Sequence, residues 1–404
     1  MFFYISFLRP PPYQAAPYSN IVIAPQIAND LRTEQFEGSQ DIFYLWSQER
    51  PPQKIPNATG NPIITTSPRK LTTWRQANAY KEIPVPMPPN VREGQYWRLF
   101  LTGAPNAQKA LEIDMAEGGV GRHPFPVMSM PILFTARCGK GAQKQEHVER
   151  VYRFPRNESD GGKRDNLPMD LKITEQTSFD LDKKIWDSGI GLSSWLVALC
   201  GRTKSDLDSV AVRRMRDALF SSERRTILEL GWCRAHFVVC LSQSCVLGAG
   251  TGLVAIAIAA LRSVSSLADN IIATDVSSAM PLLEQNISNN QHTFTTSPKA
   301  VVLDWDDEDL PQDVTSLEDG LDAIVMADVT YNTASFPSLI RTLDKLLHLG
   351  SKPPAILLGY KERDAAERTL WDMAAEIGVD FEQVGERVGA GGAPVEIWIG
   401  HLRE

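Results

Sequence analysis

The sequence predicts an α/β fold, a parallel sheet with helices on both faces, preceded by a smaller proline-rich, β-containing region. Two observations predict it. Twenty of the 27 prolines fall in residues 1–170, and proline removes a backbone donor and fixes φ, so this part cannot be mainly long helices. After residue 170, short β-branched runs alternate with amphipathic stretches, the rhythm of strands and covering helices. A length of 404 residues suits two domains, and 43% apolar residues supply their cores. We therefore expect an N-terminal accessory region over 1–158, a linker over 159–169 and an α/β domain over 170–404.

In the first region the short runs Phe2 to Leu8, Ile21 to Ile23, Tyr96 to Leu101, Met130 to Ala136 and Val148 to Phe154 read as strands. Residues 51–90 carry nine prolines and little periodicity, which predicts a long loop or partly disordered segment. Ser159-Asp-Gly-Gly-Lys-Arg-Asp165 has linker composition. In the second region strands are expected at Ile271–Ala273, Ala300–Leu303, Ala323–Met326, Ala355–Leu358 and Val395–Gly400. Helices are expected at Val254 to Arg262, Ala279 to Asn290, Phe336 to Leu347 and Asp364 to Ile377. Such sheets bind ligands at the carboxyl ends of their strands.

Composition narrows the function. The formal net charge is −8, whereas a duplex-binding protein needs a Lys/Arg excess, so nucleic acid is not the expected partner. No apolar run reaches the roughly 18–20 residues of a membrane span, and the opening MFFYISFLRPPP is too quickly interrupted by proline for a secretory signal. Five cysteines are sparse and odd in number, which points to a reducing, cytoplasmic setting. None of the six histidines makes a zinc pattern, and no metal is expected. A monomer is expected.

Val246-Leu-Gly-Ala-Gly-Thr-Gly-Leu-Val254 opens a helix-like run. Glycines at 248, 250 and 252 let the turn run tight and bring its backbone against a ligand. Asp275 ends the run Ile271-Ile-Ala-Thr-Asp275, where a carboxylate can accept both ribose hydroxyls of a nucleoside. A dinucleotide fingerprint would need glycine at 253, but that residue is Leu253, and the Lys-Ser/Thr pair of a phosphate loop is missing. A nucleoside without pyrophosphate fits better, with S-adenosylmethionine the leading candidate.

Four segments then carry a family resemblance: Ile185-Trp-Asp-Ser-Gly189, Gly248-Ala-Gly-Thr-Gly252 with Asp275, Leu303-Asp-Trp305, and Asp328-Val-Thr-Tyr331. Residues from about 170 onward resemble the class I, seven-β-strand methyltransferases, specifically the methyltransferase family 16 group of protein-lysine methyltransferases, with an extension like that of fungal members. The resemblance implies a Rossmann-like seven-stranded sheet and S-adenosylmethionine as cofactor. It sets Trp186, Trp305 and Ala327 beside the methyl donor, with Trp305 near the adenine; an indole face suits adenine or a sulfonium, or both tryptophans are core aromatics. Asp304 would receive the adenine amine or belong to a solvated acidic loop, Asp304 to Asp309. The resemblance implies that Asp328 and Tyr331 bind the substrate lysine; a helix cap is the plain alternative for Asp328. Tyr360-Lys-Glu-Arg363 resembles a family segment too, but Arg363 and Glu367, four apart, read as an ordinary surface pair.

The cofactor motif holds an anomaly. Ile227-Leu-Glu-Leu-Gly231 resembles its usual start, yet Ala249-Gly-Thr-Gly252 follows 17 residues later. Removing Trp232–Gly248 leaves Leu-Glu-Leu-Gly-Ala-Gly-Thr-Gly, the family pattern intact, with Glu229 its acidic member. The segment reads as translated intron sequence or as a real insertion with Val246-Leu-Gly248 as the strand end. The expected function is an S-adenosylmethionine-dependent protein-lysine methyltransferase, with a translation elongation factor as the target that family analogy suggests. A small-molecule or N-terminal-amine methyltransferase, or a non-enzymatic interaction protein with a spoiled cofactor turn, are the alternatives.

Overall fold

The computed structural model describes residues 1–49, 65–106, 111–116, 118, 120–137, 143–155, 168–177, 183–203, 205, 207, 209–231, 250–263 and 269–403. Its first part is built from β1 (Tyr4–Arg9), β2 (Gln14–Ala15), β3 (Ile21–Ala28), β4 (Gln40–Glu49), β5 (Arg69–Trp74), β6 (Ile83–Val85), β7 (Tyr96–Thr102), β8 (Glu112–Asp114), β9 (Val127–Ser129), β10 (Ile132–Phe134), β11 (His147–Phe154) and β12 (Met169–Gln176). β1, β3 and β6 form one sheet, and the other nine strands form a second.

Two expectations are corrected here. Residues 65–90, expected as loop, hold β5 and β6, while 51–64 lie outside the described residues. Both strands are edges, β5 pairing with β4 and β6 with β3. At an edge Pro84 sacrifices no ladder bond. The boundary at 170 is also misplaced. β12 pairs antiparallel with β11 along its whole length, Val151 opposite Lys172, so the N-terminal sheet runs on to Gln176. Residues 159–167 of the expected linker lie outside the described residues.

The second part runs α1 (Asp187–Cys200), α2 (Val210–Phe220), β13 (Thr226–Leu230), α3 (Leu253–Leu261), β14 (Asn270–Asp275), α4 (Met280–Asn289), β15 (Lys299–Val302), α5 (Gln312–Thr315), β16 (Ala323–Ala327), α6 (Phe336–Leu347), β17 (Ala355–Tyr360), α7 (Thr369–Glu376), β18 (Val379–Arg387) and β19 (Val395–Leu402). Its seven strands are ordered β15-β14-β13-β16-β17-β19-β18, with β19 antiparallel to both neighbours and the strands from β15 to β17 parallel. This is the α/β class expected.

Side chains alternate across a strand, and here they feed two cores. Ile227, Val325 and Leu357 face one side with α1, α3 and α4. Leu228, Ile324 and Leu358 face the other with α6 and α7. Phe2, Tyr4, Tyr152 and Leu171 join the first core, so the N-terminal sheets and the α/β layer share packed side chains. α1 had no periodic signal because it is buried on nearly every side. Gly191 lets it approach β19, since a Cβ there would lie 2.6 Å from Val395 Cγ1.

Candidate functional site

Three neighbouring parallel strands bring a carboxylate to their carboxyl ends. β13 carries Glu229, β14 ends at Asp275, and β16 runs through Ala327 into Asp328. Between the first two the chain returns through the glycine turn. Gly250 and Gly252 have φ of +54° and +72°, a left-handed backbone that glycine adopts without steric cost. A Cβ at Gly252 would also lie 2.3 Å from Leu283 Cδ1. Gly248, the third expected glycine, lies outside the described residues, as does all of Trp232–Gly248.

Asp275 is fully buried. Its Oδ2 accepts from the Gly250 amide at 2.6 Å and its Oδ1 from the Val276 amide at 2.6 Å, so it braces the turn. Glu229 Oε2 accepts from the Ala255 amide in the first turn of α3 at 3.0 Å. Burial pushes the Glu229 carboxyl up to about 8, the Ala255 hydrogen bond pulls it down, and nearby Asp275 raises it further.

A narrow cleft, lined in part by Trp186, Gly189, Glu229, Thr251, Ala327 and Asp328, gathers four of the expected residues. Asp304 and Trp305 sit one strand further out. The Leu303 amide donates to the Asp275 carbonyl at 2.9 Å, which sets them beside the end of β14. Asp304 is half-buried and accepts from the Asp306 amide at 3.1 Å, an ordinary turn contact. Trp305 is fully buried in the second core, and its indole N–H has no hydrogen-bond partner among the described residues.

Asp328 is a non-glycine residue with φ of +58°, uncommon outside Asn, Asp and Gly. Its Oδ1 accepts from Ser188 Oγ at 2.6 Å and its Oδ2 from the Gly189 amide at 3.2 Å. It thus caps the N-terminus of α1, a helix remote in sequence, and not α6, the next helix along the chain. Asn332 caps the short 3-10 turn before α6, accepting from the Ala334 amide. Burial raises the Asp328 carboxyl, while the Arg363 guanidinium and the Ser188 hydroxyl pull it back. The Trp186 and Tyr331 rings stack with centroids 6.5 Å apart.

Arg363 is the residue the sequence misassigned. Glu367 accepts only its backbone amide, at 3.2 Å. The guanidinium turns inward instead, 4.9 Å from the Trp186 ring centroid, and its Nη2 donates to Asp328 Oδ1 at 3.0 Å and Asp30 Oδ2 at 2.9 Å. Burial outweighs the surface-pair rule because two carboxylates and an aromatic face wait there. Next to it Lys361 Nζ donates to Asp187 Oδ2 at 2.8 Å and Asp30 Oδ1 at 3.3 Å. Asp187 also accepts from the Phe2 amide and the Tyr4 hydroxyl; burial and then Asp30 push it up to about 6. Burial alone would raise Asp30, but Arg363 and Lys361 hold it below its ordinary value. The available signal for Arg363 was its place just past the carboxyl end of β17, level with Asp328. Asp30 had none.

A family model described as lysine methyltransferase matches residues 165–376, more than half of the chain. The chain is 30% identical over 132 residues to the Saccharomyces cerevisiae "Protein-lysine N-methyltransferase EFM6", covering 31% of this chain and 52% of that protein. It is 34% identical over 102 residues to the Xenopus tropicalis "EEF1A lysine methyltransferase 3", covering 25% of this chain and 39% of that one. The chain thus spans about half or less of these relatives' own lengths. Among solved structures, the fold is similar to a magnesium protoporphyrin IX methyltransferase from Synechocystis with bound SAM, at 11% identity and a TM-score of 0.31, covering 52% of this chain and 84% of that one. It is also similar to an Aeropyrum pernix fibrillarin with SAM, at 12% identity and a TM-score of 0.32, covering 62% and 82%.

Proposed function

We propose a function from one premise: the chain belongs to the lysine methyltransferase family. The reading is an S-adenosylmethionine-dependent protein-lysine N-methyltransferase. The observation that carries it is the convergence of Glu229, Asp275 and Asp328 at the carboxyl ends of three parallel strands around a left-handed glycine turn. The names of the relatives support a translation elongation factor as substrate. Among the described residues no helix is long and apolar enough to cross a membrane.

The residues suit the donor in kind. When bound, S-adenosylmethionine supplies an electrophilic methyl group on a cationic sulfur. Glu229, a buried carboxyl raised by burial and held by the Ala255 amide, would take the donor's positive end. The turn at Gly250–Gly252 and Asp275 would hold the nucleoside, with Asp304, Trp305, Trp186 and Ala327 around it. Asp328 and Tyr331 would receive the lysine. A lysine of pKa about 10.4 must shed its proton first, which costs roughly 4–5 kcal/mol near pH 7. A desolvated site lowers that cost. Asp328 then orients the amine for in-line attack, and positioning supplies much of the rate.

Radiolabelled S-adenosylmethionine in a cell extract tests this reading. Labelling of a discrete protein band, with the label recovered as methyl-lysine, is the expected outcome. Label found only in small molecules or at N-terminal amines would replace it, and calorimetry showing no donor binding would overturn it.

A further inference from the structure

Asp30 lies in the N-terminal region, outside everything the proposed chemistry uses, yet it is buried beside the site. A tight turn delivers it from the end of β3. Asn29 Oδ1 accepts from the Thr33 and Glu34 amides at 2.9 and 3.2 Å, and Arg32 takes φ of +60°. From there Asp30 reaches Lys361, Arg363 and the Asp187 amide. The N-terminal region therefore places a carboxylate against catalytic candidates.

The key contact is shared. One nitrogen, Arg363 Nη2, serves both Asp30 and Asp328. While Asp30 holds half of it, Arg363 cannot commit both of that nitrogen's hydrogens to Asp328, and among the described residues Asp328 Oδ2 has only the 3.2 Å Gly189 contact. The charges agree. Within hydrogen-bond contact the cluster sets three carboxylates, Asp30, Asp187 and Asp328, against two cations, Lys361 and Arg363. The α-amino group of Met1 donates to the Ala393 carbonyl; burial lowers it, and Asp187 pulls it back up. Around Asp328 itself the cluster can accept another positive charge.

We infer that Asp30 is a positioning residue: by holding Arg363 it keeps Asp328 available to a substrate ammonium, so the N-terminal region completes the site. This rests on the reading that Asp328 serves the amine. With Asp30 neutral, Arg363 would close fully on Asp328, and the incoming lysine would have to displace it.

Asp30→Asn in the full chain tests the inference. It keeps the side chain's shape and leaves Lys361 on Asp187 and Arg363 on Asp328, so no cation is orphaned. Asp328 is faced by Ser188 Oγ and the Gly189 amide from α1, Arg363 from the segment after β17, and Asp30 from the N-terminal turn. In protein labelled with 13C at the aspartate carboxyl, its titration midpoint should fall by at least half a pH unit, because a like charge is gone. Methylation of the extract band should slow at least tenfold with donor affinity within twofold, and Asp30→Glu should recover part of the rate. In an Asp328→Asn background, adding Asp30→Asn should cost less than a further twofold, since the two act through one path. An unmoved midpoint, losses that add in full, or an equal fall in donor affinity would each overturn the inference. If the wild-type chain labels no protein band but the midpoint still falls, the linkage stands and the lysine reading fails.

Discussion

Ser188 and Asp328 are 140 residues apart in sequence and 2.6 Å apart in space, hydroxyl to carboxylate. The contact joins the first turn of α1 to the end of β16, and the left-handed backbone of Asp328 makes it possible. Asn tolerates that backbone and Ala does not. Asp328→Asn should therefore fold with near-normal donor affinity while methyl transfer drops at least a hundredfold. Asp328→Ala should lose about 1–2 kcal/mol of stability besides. Donor calorimetry, single-turnover rates and denaturant melts on both variants separate charge from backbone. Loss of donor binding and rate in equal proportion for Asp328→Asn would make Asp328 a cofactor residue.

Asp275 makes a different prediction because it already braces the turn through the Gly250 and Val276 amides. Asp275→Ala removes a charge-assisted interaction worth roughly 1.5–3 kcal/mol, so donor affinity should fall at least tenfold. Calorimetry on a variant shown to be folded by circular dichroism is the measurement. Unchanged affinity would remove Asp275 from the nucleoside site.

The parts of this site that local pattern could reveal were legible. α6 has the bounds its apolar spacing predicts, Phe336–Leu347, and β14 covers the expected Ile271–Ala273 and runs on to Asp275. α1 was not legible, because its glycines and serines make a helix only when the sheet and α3 bury it. Nor was Arg363, whose spacing to Glu367 satisfies a surface rule that burial overrules. β4, with Phe43, Tyr44 and Trp46 inside Gln40–Glu49, lies outside the expected strands although its composition is strand-like. Asp30 reaches the site only through tertiary contact, 333 residues from Arg363, and no window along the chain contains that.

Glu229 gives the apo protein a pH signature. Its folded value, pushed up to about 8 from an ordinary 4.5, means the native state holds a proton the unfolded chain has released. The stability this contributes is fully present below pH 4.5 and is lost as pH rises through about 8. Glu229→Gln keeps an acceptor for the Ala255 amide but does not titrate, so its advantage in melting temperature over wild type should grow between pH 5 and 8.5. Donor binding should run the other way in wild type, tightening toward pH 8 as the carboxylate becomes available to a cation, and Glu229→Gln should flatten that trend. Parallel melting and affinity curves for the two proteins would mean that Glu229 stays ionised throughout.

Gly231 and Gly250, the described residues on either side of the anomalous segment, are anchored on adjacent residues of β14. The Gly231 amide donates to Thr274 Oγ1 at 3.0 Å, and the Gly250 amide to Asp275 Oδ2 at 2.6 Å. A chain that leaves β13 at Gly231 and re-enters at Gly250 therefore has its exit and its return anchored side by side. Joining Gly231 directly to Ala249 demands a one-residue bridge between these anchors, and a glycine on each side of the junction gives the backbone freedom to make it. Deleting Trp232–Gly248 should give a folded protein with the melting temperature kept or raised, since a shorter loop costs less closure entropy. Donor affinity should hold or improve, because Leu-Glu-Leu-Gly then runs straight into Ala-Gly-Thr-Gly. Transcript reads that lack the corresponding 51 bases would identify the segment as retained intron. If every read keeps those bases and the deletion variant loses donor binding, the segment is a working part of the turn, and Val246-Leu-Gly248 takes back the strand-end role.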